Sequence, residues 1–555
     1  MSDSLPAATA DTPTADTPTA DTPTSDTTDT PDQALSRWFL SAQERGNPAS
    51  TIRAFTTGNR VQPLVHGSTY FRCLYDHLVQ LSDGDEVYFS SFRTDGEELL
   101  AGEGTSVTEV LVAAAERGVT ITGLVWRSQP EALEQSEEAN ADVVRSLRDA
   151  GAEVALDART RRGGSHHQKL VVCRSERGGD IAFVGGIDLA FSRADDNGHL
   201  GDPQVMPFTS MFGERPPWHD VQVAVQGPAV NDVELTFRER WEGSTLLDFP
   251  SPLRMAFDRV RHAGILTDPE LPAERPDPAE AGPHAVQVLR TYPARSRRYP
   301  FAPFGERSIA HAYAKALSRA RALIYVEDQY LWAPIVARLL VRALKSNPEL
   351  RMVVVVPRHP DKEGHSRLPS LVGRERAIEV CRAAGADRFA IYDLENPVGT
   401  PVYVHSKVVV IDDTWAMVGS DNMNRRSWTH DSELSCAVLD ATPDPRAPHD
   451  PGGLGDGARV FARDLRLELW REHLDATSDD GLLDPADAFE SLRTSAQALH
   501  AWYAGGCSGA RPPGRLRPHV PERVPRRARP WAVPVSRLLY DPDGRAWRDR
   551  IRHRM

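Results

Sequence analysis

Two short segments of this chain place a histidine and a lysine two residues apart. SHHQKLVV contains His167 and Lys169, and VYVHSKVVV contains His405 and Lys407. The chain has 65 basic residues but only five lysines, and two of these five occur in this pattern. Because residues i and i+2 of a strand point to the same face, each segment presents an imidazole beside an ammonium group.

Such a pair of segments suits the chemistry of a phosphodiester. Two ammonium groups can bind the non-bridging oxygens and stabilise the extra negative charge of a five-coordinate transition state. One imidazole can attack phosphorus and the other can protonate the leaving alkoxide, because histidine titrates near neutrality. A carboxylate behind each ring would fix its tautomer, and Asp220 and Glu433 are the candidates. This chemistry requires no metal or other cofactor, and no cluster in the sequence has metal-ligand spacing.

The two segments also continue alike, which makes a chance match untenable. The second continues through Asp412, Gly419, Ser420 and Asn422 to Glu433, and the first through Gly185, Gly186 and Asp188 to Asp220. If a pseudo-twofold axis relates the copies, both histidines and both lysines converge on one site. We expect the substrate phosphate to be bound by Lys169, Lys407, Asn422, Ser420 and Asp188. We expect the motif to be supported by Asp412, Gly185, Gly186 and Gly419.

Strand and helix patterns alternate around both copies. Continuous apolar runs such as MVVVVP between amphipathic helices are typical of strands covered on both faces. The predicted strands are 85–92, 119–126, 152–158, 322–328, 352–357 and 389–393; the predicted helices are 106–118, 141–151, 306–320, 335–344 and 375–385. We therefore predict an α/β fold of two similar lobes. Each lobe would be a mostly parallel or mixed sheet flanked by helices, and pseudo-twofold symmetry would give one shared active site.

Composition sets the expected domain boundaries. The Asp/Thr/Pro repeats of residues 1–34 have almost no large apolar groups and are predicted to be disordered. The expected units that follow are an N-terminal lobe at 35–266, a proline-rich linker at 267–284, a C-terminal lobe at 285–505 and an arginine-rich tail at 506–555. The tail suits a strap on the lobe or a solvated extension, and alternatively an attachment to anionic lipid or nucleic acid.

Charge and cysteine content limit the class of protein. A formal net charge of −13 argues against a stable nucleic-acid partner. Five scattered cysteines suit reduced thiols, and the sequence has neither a secretory signal nor an 18-residue apolar run. We expect a cytoplasmic protein, with peripheral membrane association as an alternative. A monomer would be sufficient for a complete site, because both copies lie in one chain.

With these residues in view, the chain resembles the phospholipase D superfamily, whose signature H-x-K-x4-D-x6-G-S-x-N matches residues 405–422 throughout. Over roughly residues 55–440, the segments HHQKLVV, FVGGIDLAFSRADD, PWHDVQVAVQGPAV and IYVEDQYLW are similar to its phospholipid-cleaving branch. The resemblance implies a ping-pong reaction through a phosphohistidine, released by water or a primary alcohol. It also implies His167 as nucleophile, His405 as general acid and then base, and a phospholipid at a membrane surface as substrate.

One position departs from the family pattern. The signature aspartate is Asp412 in the second copy, but Arg174 stands there in the first, and Asp180 is a possible substitute. The alternatives to a phospholipase D are a nuclease or other soluble phosphodiesterase of the superfamily, or a non-catalytic phosphate- or lipid-binding member. The long segment 189–217 is expected to shape the entrance, with Met206, Phe208, Met211 and Phe212 either touching acyl chains or packing the loop.

Overall fold

A computed structural model describes residues 31–128, 136–241, 270–295 and 298–551. Most of the segment predicted to be disordered, residues 1–30, lies outside this range, and so do residue 266 and the start of the predicted linker. Pro31 already begins a helix, α1 (Pro31–Trp38), so disorder predicted for residues 31–34 is not observed. Trp38 and Leu35 of this helix are buried against the second half of the chain.

The strands carry the alternating signals found in the sequence. They are β1 (Thr56–Val65), β2 (Glu86–Ser91), β3 (Thr120–Trp126), β4 (Glu153–Asp157), β5 (Leu170–Arg174), β6 (Ile181–Gly185), β7 (Trp218–His219), β8 (Val221–Gln226), β9 (His284–Tyr292), β10 (Glu306–Arg307), β11 (Leu323–Glu327), β12 (Arg351–Val355), β13 (Phe389–Leu394), β14 (Tyr403–Val404), β15 (Val408–Ile411), β16 (Trp415–Gly419), β17 (Glu433–Asp440) and β18 (Leu516–Pro518).

The remaining helices lie mostly between these strands. They are α2 (Gly67–Leu78), α3 (Val107–Glu116), α4 (Glu137–Asp149), α5 (Ala229–Trp241), α6 (Ser308–Arg319), α7 (Pro334–Ser346), α8 (Leu368–Gly385), α9 (Arg425–Thr429), α10 (Val460–Leu474), α11 (Pro485–Ala504), α12 (Arg529–Val535) and α13 (Trp547–Ile551). Helix α3 begins with a capping box: the Ser106 side chain accepts from the Glu109 amide, and the Glu109 side chain accepts from the Ser106 amide.

One sixteen-stranded sheet extends through the described residues, and its strand order repeats. From the centre, where β1 pairs antiparallel with β9, one side runs β1-β8-β6-β5-β2-β3-β4. The other side runs β9-β17-β16-β15-β11-β12-β13, followed by β18. The two halves therefore have the same topology about the β1–β9 pair, and the predicted α/β fold is confirmed.

The sheet is mixed rather than mostly parallel. Parallel pairing joins β2 to β3 to β4 and β11 to β12 to β13, while the strands toward the centre pair antiparallel. Short turns join β5 to β6 and β15 to β16, and such turns connect only antiparallel neighbours. The other antiparallel neighbours, such as β6 with β8 and β16 with β17, are joined by longer segments. The two motif-bearing strands thus form hairpins within an otherwise crossover-connected layer.

Helices cover both faces of the sheet, which explains the continuous apolar strands. In β5, Leu170 and Val172 contact the layer formed by α5, α10 and α11, whereas Val171 contacts the layer of α2, α3 and α4. In β15, Val408 faces the first layer and Val409 faces α6, α7 and α8. Because both sides of each strand are buried, neither side needs polar residues.

The C-terminal segment packs on the second half of the chain. Strand β18 pairs with the outer strand β13, and Val524, Ala528 and Ala532 are buried against Leu368 and Leu371. Residues 516–532 therefore form a strap on the lobe, which was one of the alternatives for the C-terminal tail. Among the described residues, no helix combines the length and apolar character needed to cross a membrane.

Candidate active site

Both His-x-Lys pairs lie immediately before a strand, at equivalent positions of the repeated topology. Lys169 precedes β5 and Lys407 precedes β15, so the pairs occupy the extended entry to each strand rather than its interior. Each pair thereby lies at the same end of two equivalent hairpins, close to the centre of the sheet.

Each histidine of the two His-x-Lys pairs is paired with a carboxylate of the opposite half. His167 Nδ1 lies 2.8 Å from Glu433 Oε2, and His405 Nδ1 lies 2.6 Å from Asp220 Oδ2. Within the described part of the chain neither Nε2 has a hydrogen-bond partner, so both remain available to a substrate. Both predicted carboxylates therefore hold imidazoles, and they do so crosswise.

Backbone hydrogen bonds fix this crosswise arrangement. The His167 amide donates to the Ser432 carbonyl at 2.9 Å, and the His405 amide donates to the His219 carbonyl at 2.8 Å. In addition, β7 of the first half pairs in parallel with β14 of the second. The backbone of each histidine is thus bonded to the residue that directly precedes the carboxylate its imidazole contacts.

Lys169 and Lys407 are both buried, and both are close enough to His167 to lower the pKa of its imidazole. Lys169 Nζ lies 3.3 Å from Asp188 Oδ2, and Lys407 Nζ lies 3.4 Å from Gln329 Oε1. Burial, together with the positive charge of Lys169, lowers the pKa of Lys407 to about 8. Burial and both ammonium groups hold the pKa of His167 well below its usual range. The two halves therefore converge on one cationic site, as the repeat predicted.

The two carboxylates differ in their electrostatic environment. Burial alone would raise the pKa of Asp220, but His405 and Lys407 lower it to about 2. Burial and the neighbouring Asp431 raise the pKa of Glu433 to about 8. Asp220 is therefore ionised at neutral pH, whereas Glu433 favours its protonated form. This asymmetry distinguishes two imidazoles that the repeat makes topologically equivalent.

The residues expected to bind phosphate have different surroundings. The Asn422 Oδ1 atom is buried and has no hydrogen-bond partner within the described residues. Ser420 donates its hydroxyl to Glu433 Oε2 at 2.6 Å and accepts from the Leu434 amide at 3.0 Å.

Asp188 is already occupied as an acceptor. Its Oδ1 accepts from the Phe92 amide at 3.1 Å and the Arg93 amide at 3.2 Å, while Oδ2 faces Lys169. A carboxylate has no donor to offer a phosphate oxygen. The geometry favours a supporting role for Asp188, which orients Lys169, and a similar role for Ser420, which orients Glu433.

The motif glycines make room for these side chains. A Cβ atom on Gly186 would lie 2.1 Å from Asp220 Oδ1, and one on Gly419 would lie 1.9 Å from Ser435 Oγ. Gly185 is similarly close to Gln222. Any larger residue at Gly186 would displace the carboxylate that holds His405.

Asp412 supports the strand next to its motif, as expected. Its Oδ1 accepts from the Ala322 and Leu323 amides at 2.8 Å, and its Oδ2 accepts from the Arg321 amide at 2.8 Å. Leu323 is the first residue of β11, the neighbour of β15, and Arg321 and Ala322 lead into it. The carboxylate therefore fixes the start of one strand against the turn that ends the other.

In the first half the equivalent strands are also linked by a carboxylate, but it lies before β2 and accepts from the turn after β5. Arg174 is buried and pairs with Glu234 at 3.1 Å and Asp180 at 3.4 Å. Asp85, which precedes β2, accepts from the Glu176 amide at 3.1 Å and thereby holds the turn after β5. Asp180 accepts from Ser175 within that turn. Asp85 thus replaces the missing motif aspartate as the link between the two strands. Arg174, which stands at the motif position, forms ion pairs with Glu234 and Asp180 instead.

Several residues that surround the site carry no signal in the sequence. Glu327 Oε2 accepts from the Ser406 hydroxyl at 2.6 Å and lies 2.9 Å from His219 Nε2. His219 also belongs to a buried group with His66, His199 and Glu472, whose potential ligand atoms all lie within 4.8 Å of one another. These residues lie up to 406 positions apart, so no spacing in the sequence could reveal them.

The long segment 189–217 packs next to His405. Phe208 and Phe212 contact Trp218 and Tyr403, and the Trp218 ring lies 5.2 Å from the His405 ring. Of the four apolar residues singled out there, Phe212 is fully buried and Met211 is 45% exposed. The two phenylalanines therefore pack the loop, while Met211 remains accessible to a substrate or surface.

Comparison with known sequences identifies the family. The family model described as "Phospholipase D" matches residues 95–334 and 394–506, and that described as "Cardiolipin synthase, PLD-like domain" matches residues 313–443. The first match covers more than half of the chain. The chain belongs to the phospholipase D family. The resemblance predicted from the two His-x-Lys segments is confirmed at this level.

Plant proteins are among the curated relatives of this chain. Phospholipase D alpha 1 of Vigna unguiculata is 26% identical over 75% of this chain and 66% of its own length. Phospholipase D alpha 2 of Oryza sativa subsp. japonica is 26% identical over 84% of this chain and 70% of its own length. The chain thus spans about two thirds of the length of these relatives.

Among solved structures, phosphatidylserine synthase of Haemophilus influenzae Rd KW20 is similar to this chain. It matches with a TM-score of 0.49 and 12% identity, covering 80% of this chain and 93% of that one.

Proposed function

We propose that this protein is a phospholipase D that cleaves or transfers the phosphatidyl group of glycerophospholipids through a phosphohistidine. The observation that carries the proposal is the crosswise pair of imidazoles, each with Nδ1 on a carboxylate and Nε2 open, beside two buried ammonium groups. Membership of the phospholipase D family supports the same chemistry.

The first step forms a covalent intermediate at His167. Its lowered pKa keeps the imidazole neutral, so the Nε2 lone pair attacks phosphorus while Nδ1–H donates to Glu433. The bond from phosphorus to the head-group oxygen breaks as the phosphorus–nitrogen bond forms. Lys169 and Lys407 stabilise the negative charge on the equatorial oxygens.

His405 carries the proton in both steps. Burial and Lys407 hold the pKa of His405 well below its usual range, and ionised Asp220 opposes this shift. The negative charge of a bound phosphodiester adds to the effect of Asp220, and the imidazolium so formed donates a proton to the leaving alkoxide. Neutral His405 then accepts a proton from water or a primary alcohol, whose oxygen attacks phosphorus and breaks the phosphorus–nitrogen bond. His167 is restored, and the product is phosphatidic acid or a phosphatidyl alcohol.

The alternatives are a nuclease or other soluble phosphodiesterase, and a protein that binds phosphate without catalysis. A net charge of −13 disfavours long nucleic acids. Arg174, the sequence feature that suggested a non-catalytic member, is occupied by Glu234 and Asp180. Neither alternative therefore has a specific observation in its favour.

Product analysis on vesicles tests the substrate. Purified protein is incubated with mixed phosphatidylcholine, phosphatidylethanolamine and phosphatidylglycerol vesicles containing a little ethanol, and lipids are identified by mass spectrometry. Phosphatidic acid and phosphatidylethanol should form with the wild type and be absent with His167→Ala. His284→Gln, a substitution of a histidine outside the site, is the matched control and should retain activity. If only soluble phosphodiesters are cleaved, the lipid assignment is wrong.

A substrate with a good leaving group separates the roles of the two histidines. p-Nitrophenyl phosphocholine releases a phenolate that needs no proton, so His405→Ala should give a burst of one nitrophenolate per chain and then stall. His167→Ala should give no burst. The reverse pattern would exchange the two roles, and absence of a burst from both variants would contradict the covalent mechanism.

A further inference from the structure

The buried group of His66, His199, His219 and Glu472 lies outside the phosphodiesterase machinery. His66 precedes α2, His199 belongs to the long segment 189–217, His219 lies in β7, and Glu472 lies near the end of α10. All three imidazoles are buried, and the Glu472 side chain is 9% exposed. Three segments of the first half and one helix of the second thus meet at one point.

The three imidazoles all point a nitrogen at the same carboxylate. His66 Nε2 lies 2.6 Å from Glu472 Oε2, while His199 Nε2 and His219 Nδ1 lie 3.0 and 3.3 Å from Oε1. The three rings face one another edge-on, with centroids 4.9 to 5.5 Å apart. Ligands of a tetrahedral zinc ion lie about 3.3 Å from one another, since zinc–nitrogen bonds are about 2.0 Å long.

Carboxylates also lie behind two of the rings. Asp195 Oδ2 lies 3.5 Å from His199 Nδ1, and Glu327 Oε2 lies 2.9 Å from His219 Nε2. At His219 the hydrogen bond to Glu327 fixes the proton on Nε2 and turns the Nδ1 lone pair toward Glu472, whereas His199 Nδ1 has an ion-pair contact with Asp195 but no hydrogen bond within the described residues. The arrangement at His219 is typical of histidines that bind a metal.

The backbone is strained at two of these residues. His66 has φ 70° and ψ 154°, and His199 has φ 50°, conformations that residues with a side chain rarely adopt. Such strain persists where the surrounding structure enforces it and is concentrated at functional sites. In both cases the strained residue directs its imidazole toward Glu472.

We propose that His66, His199, His219 and Glu472 bind one zinc ion in a closed, four-coordinate structural site. Three imidazoles and one carboxylate are ligands that zinc prefers, and their burial leaves no open position for catalysis at the metal. The adjacent group of His219, Glu327 and His473 is a weaker candidate. Both Glu327 oxygens are already occupied there, by Tyr325, Ser406 and the two histidines.

The zinc ion would hold the segment that positions His405. His219 directly precedes Asp220, and the His66 amide donates to the Asp220 carbonyl at 2.9 Å. The metal would therefore join α10 of the second half to the Asp220 segment of the first. This role is structural and does not depend on which phosphodiester the protein cleaves.

Metal analysis of the full chain tests this site without reference to activity. The protein is stripped with a chelator, dialysed and titrated with zinc in competition with a chromophoric chelator, and bound zinc is measured by plasma mass spectrometry. The wild type should bind about one zinc per chain. Cobalt in its place should give the intense visible absorption of a tetrahedral site, and zinc should raise the melting temperature of the stripped protein.

Variants identify the ligands. His199→Gln and Glu472→Gln should lose tight zinc binding and the zinc-dependent rise in melting temperature. His473→Gln, in the adjacent group, is the matched control and should retain both. If stripped wild type binds no zinc, the four residues form only an ion-pair network and the proposal is overturned. Zinc binding by wild type that His199→Gln leaves unchanged would overturn the ligand assignment, and the wild-type titration decides even if a variant fails to fold.

Discussion

At the scale of single residues, the site contains two chemically equal histidines in unequal surroundings. Asp220 is ionised beside His405, whereas burial shifts Glu433 toward its neutral form beside His167. Burial and the lysines hold the pKa of both imidazoles well below its usual range, but at His405 the ionised Asp220 opposes this shift and so favours a proton carrier there. The difference between the two carboxylates therefore supports the division of labour between the imidazoles.

This asymmetry predicts different costs for two isosteric substitutions. At pH 6.5, Asp220→Asn should lower kcat by about 10²- to 10⁴-fold, because it removes the anion that supports general acid–base catalysis. Glu433→Gln should cost less than about tenfold, since a neutral amide replaces a carboxyl group that is largely protonated below its pKa of about 8. Steady-state kinetics at that pH measure both values, and equal losses would contradict the asymmetry.

The lowered pKa of Lys407 predicts that activity depends on pH. Its pKa is lowered to about 8, so the ammonium group is present below that pH and lost as the pH rises through it. We expect kcat/KM to fall above pH 8 as phosphate binding weakens. Glu433 also titrates near pH 8, and Lys407→Arg separates the two groups because arginine stays charged. The residual activity of that variant should lack the alkaline limb; a limb that persists would assign it to Glu433.

The sequence revealed the composition of the site but not its connections. Asp220 follows His167 along the chain and Glu433 follows His405, so spacing alone allows each carboxylate to serve its own half. The crosswise pairing depends on β7 and β14 lying side by side, which is a property of the docked halves. His66 and Glu472 could not be associated for the same reason, since only the fold brings them into contact.

At the scale of elements, each motif hairpin is fixed to its neighbouring strand by one carboxylate. Asp412 serves β15 and β11, and Asp85 serves β5 and β2 with donor and acceptor segments exchanged. The strands themselves could be predicted because both of their faces are buried, and the apolar runs are therefore continuous. The exchange of donor and acceptor segments between the two halves could not be predicted, because Asp85 lies outside the repeated motif.

These two carboxylates should be important for stability. Asp412→Ala leaves three backbone amides without their acceptor, and we expect the free energy of unfolding to fall by about 2–4 kcal/mol. Asp85→Ala should lower the stability of the first half by a comparable amount. Arg174→Ala should not have this effect on the turn after β5, because Asp85 rather than Arg174 holds that turn. Denaturant unfolding measures each change. A negligible effect of Asp85→Ala would show that it does not replace the motif aspartate.

At the scale of the whole molecule, the C-terminal segment fixes the part of the second half that carries Glu433. The Arg426 amide donates to Asp541 Oδ1 at 2.9 Å, and the Gly544 amide donates to the Thr429 hydroxyl at 3.0 Å. Leu516 and Val524 are buried in the same segment. The basic tail of the sequence therefore acts on the fold through specific contacts, whatever its affinity for anionic surfaces.

Deletion from residue 516 onward should therefore destabilise the protein and its site together. Loss of Leu516 and Val524 burial alone should cost about 3–6 kcal/mol. Differential scanning calorimetry and turnover of a soluble phosphodiester should both report the loss. Leu539→Ser, at a side chain that is 64% exposed, is the control and should leave the melting temperature unchanged. Full stability of the deletion variant would show that the segment is dispensable.

The crosswise carboxylates have a consequence for biosynthesis. A chain in which only the first half has folded holds His167 without Glu433, and one in which only the second half has folded holds His405 without Asp220. The proposed hydrolytic site is therefore complete only when both halves have folded and docked. If the protein cleaves phospholipids as proposed, an incompletely folded chain that exposes apolar surface to a bilayer would be chemically inert toward it.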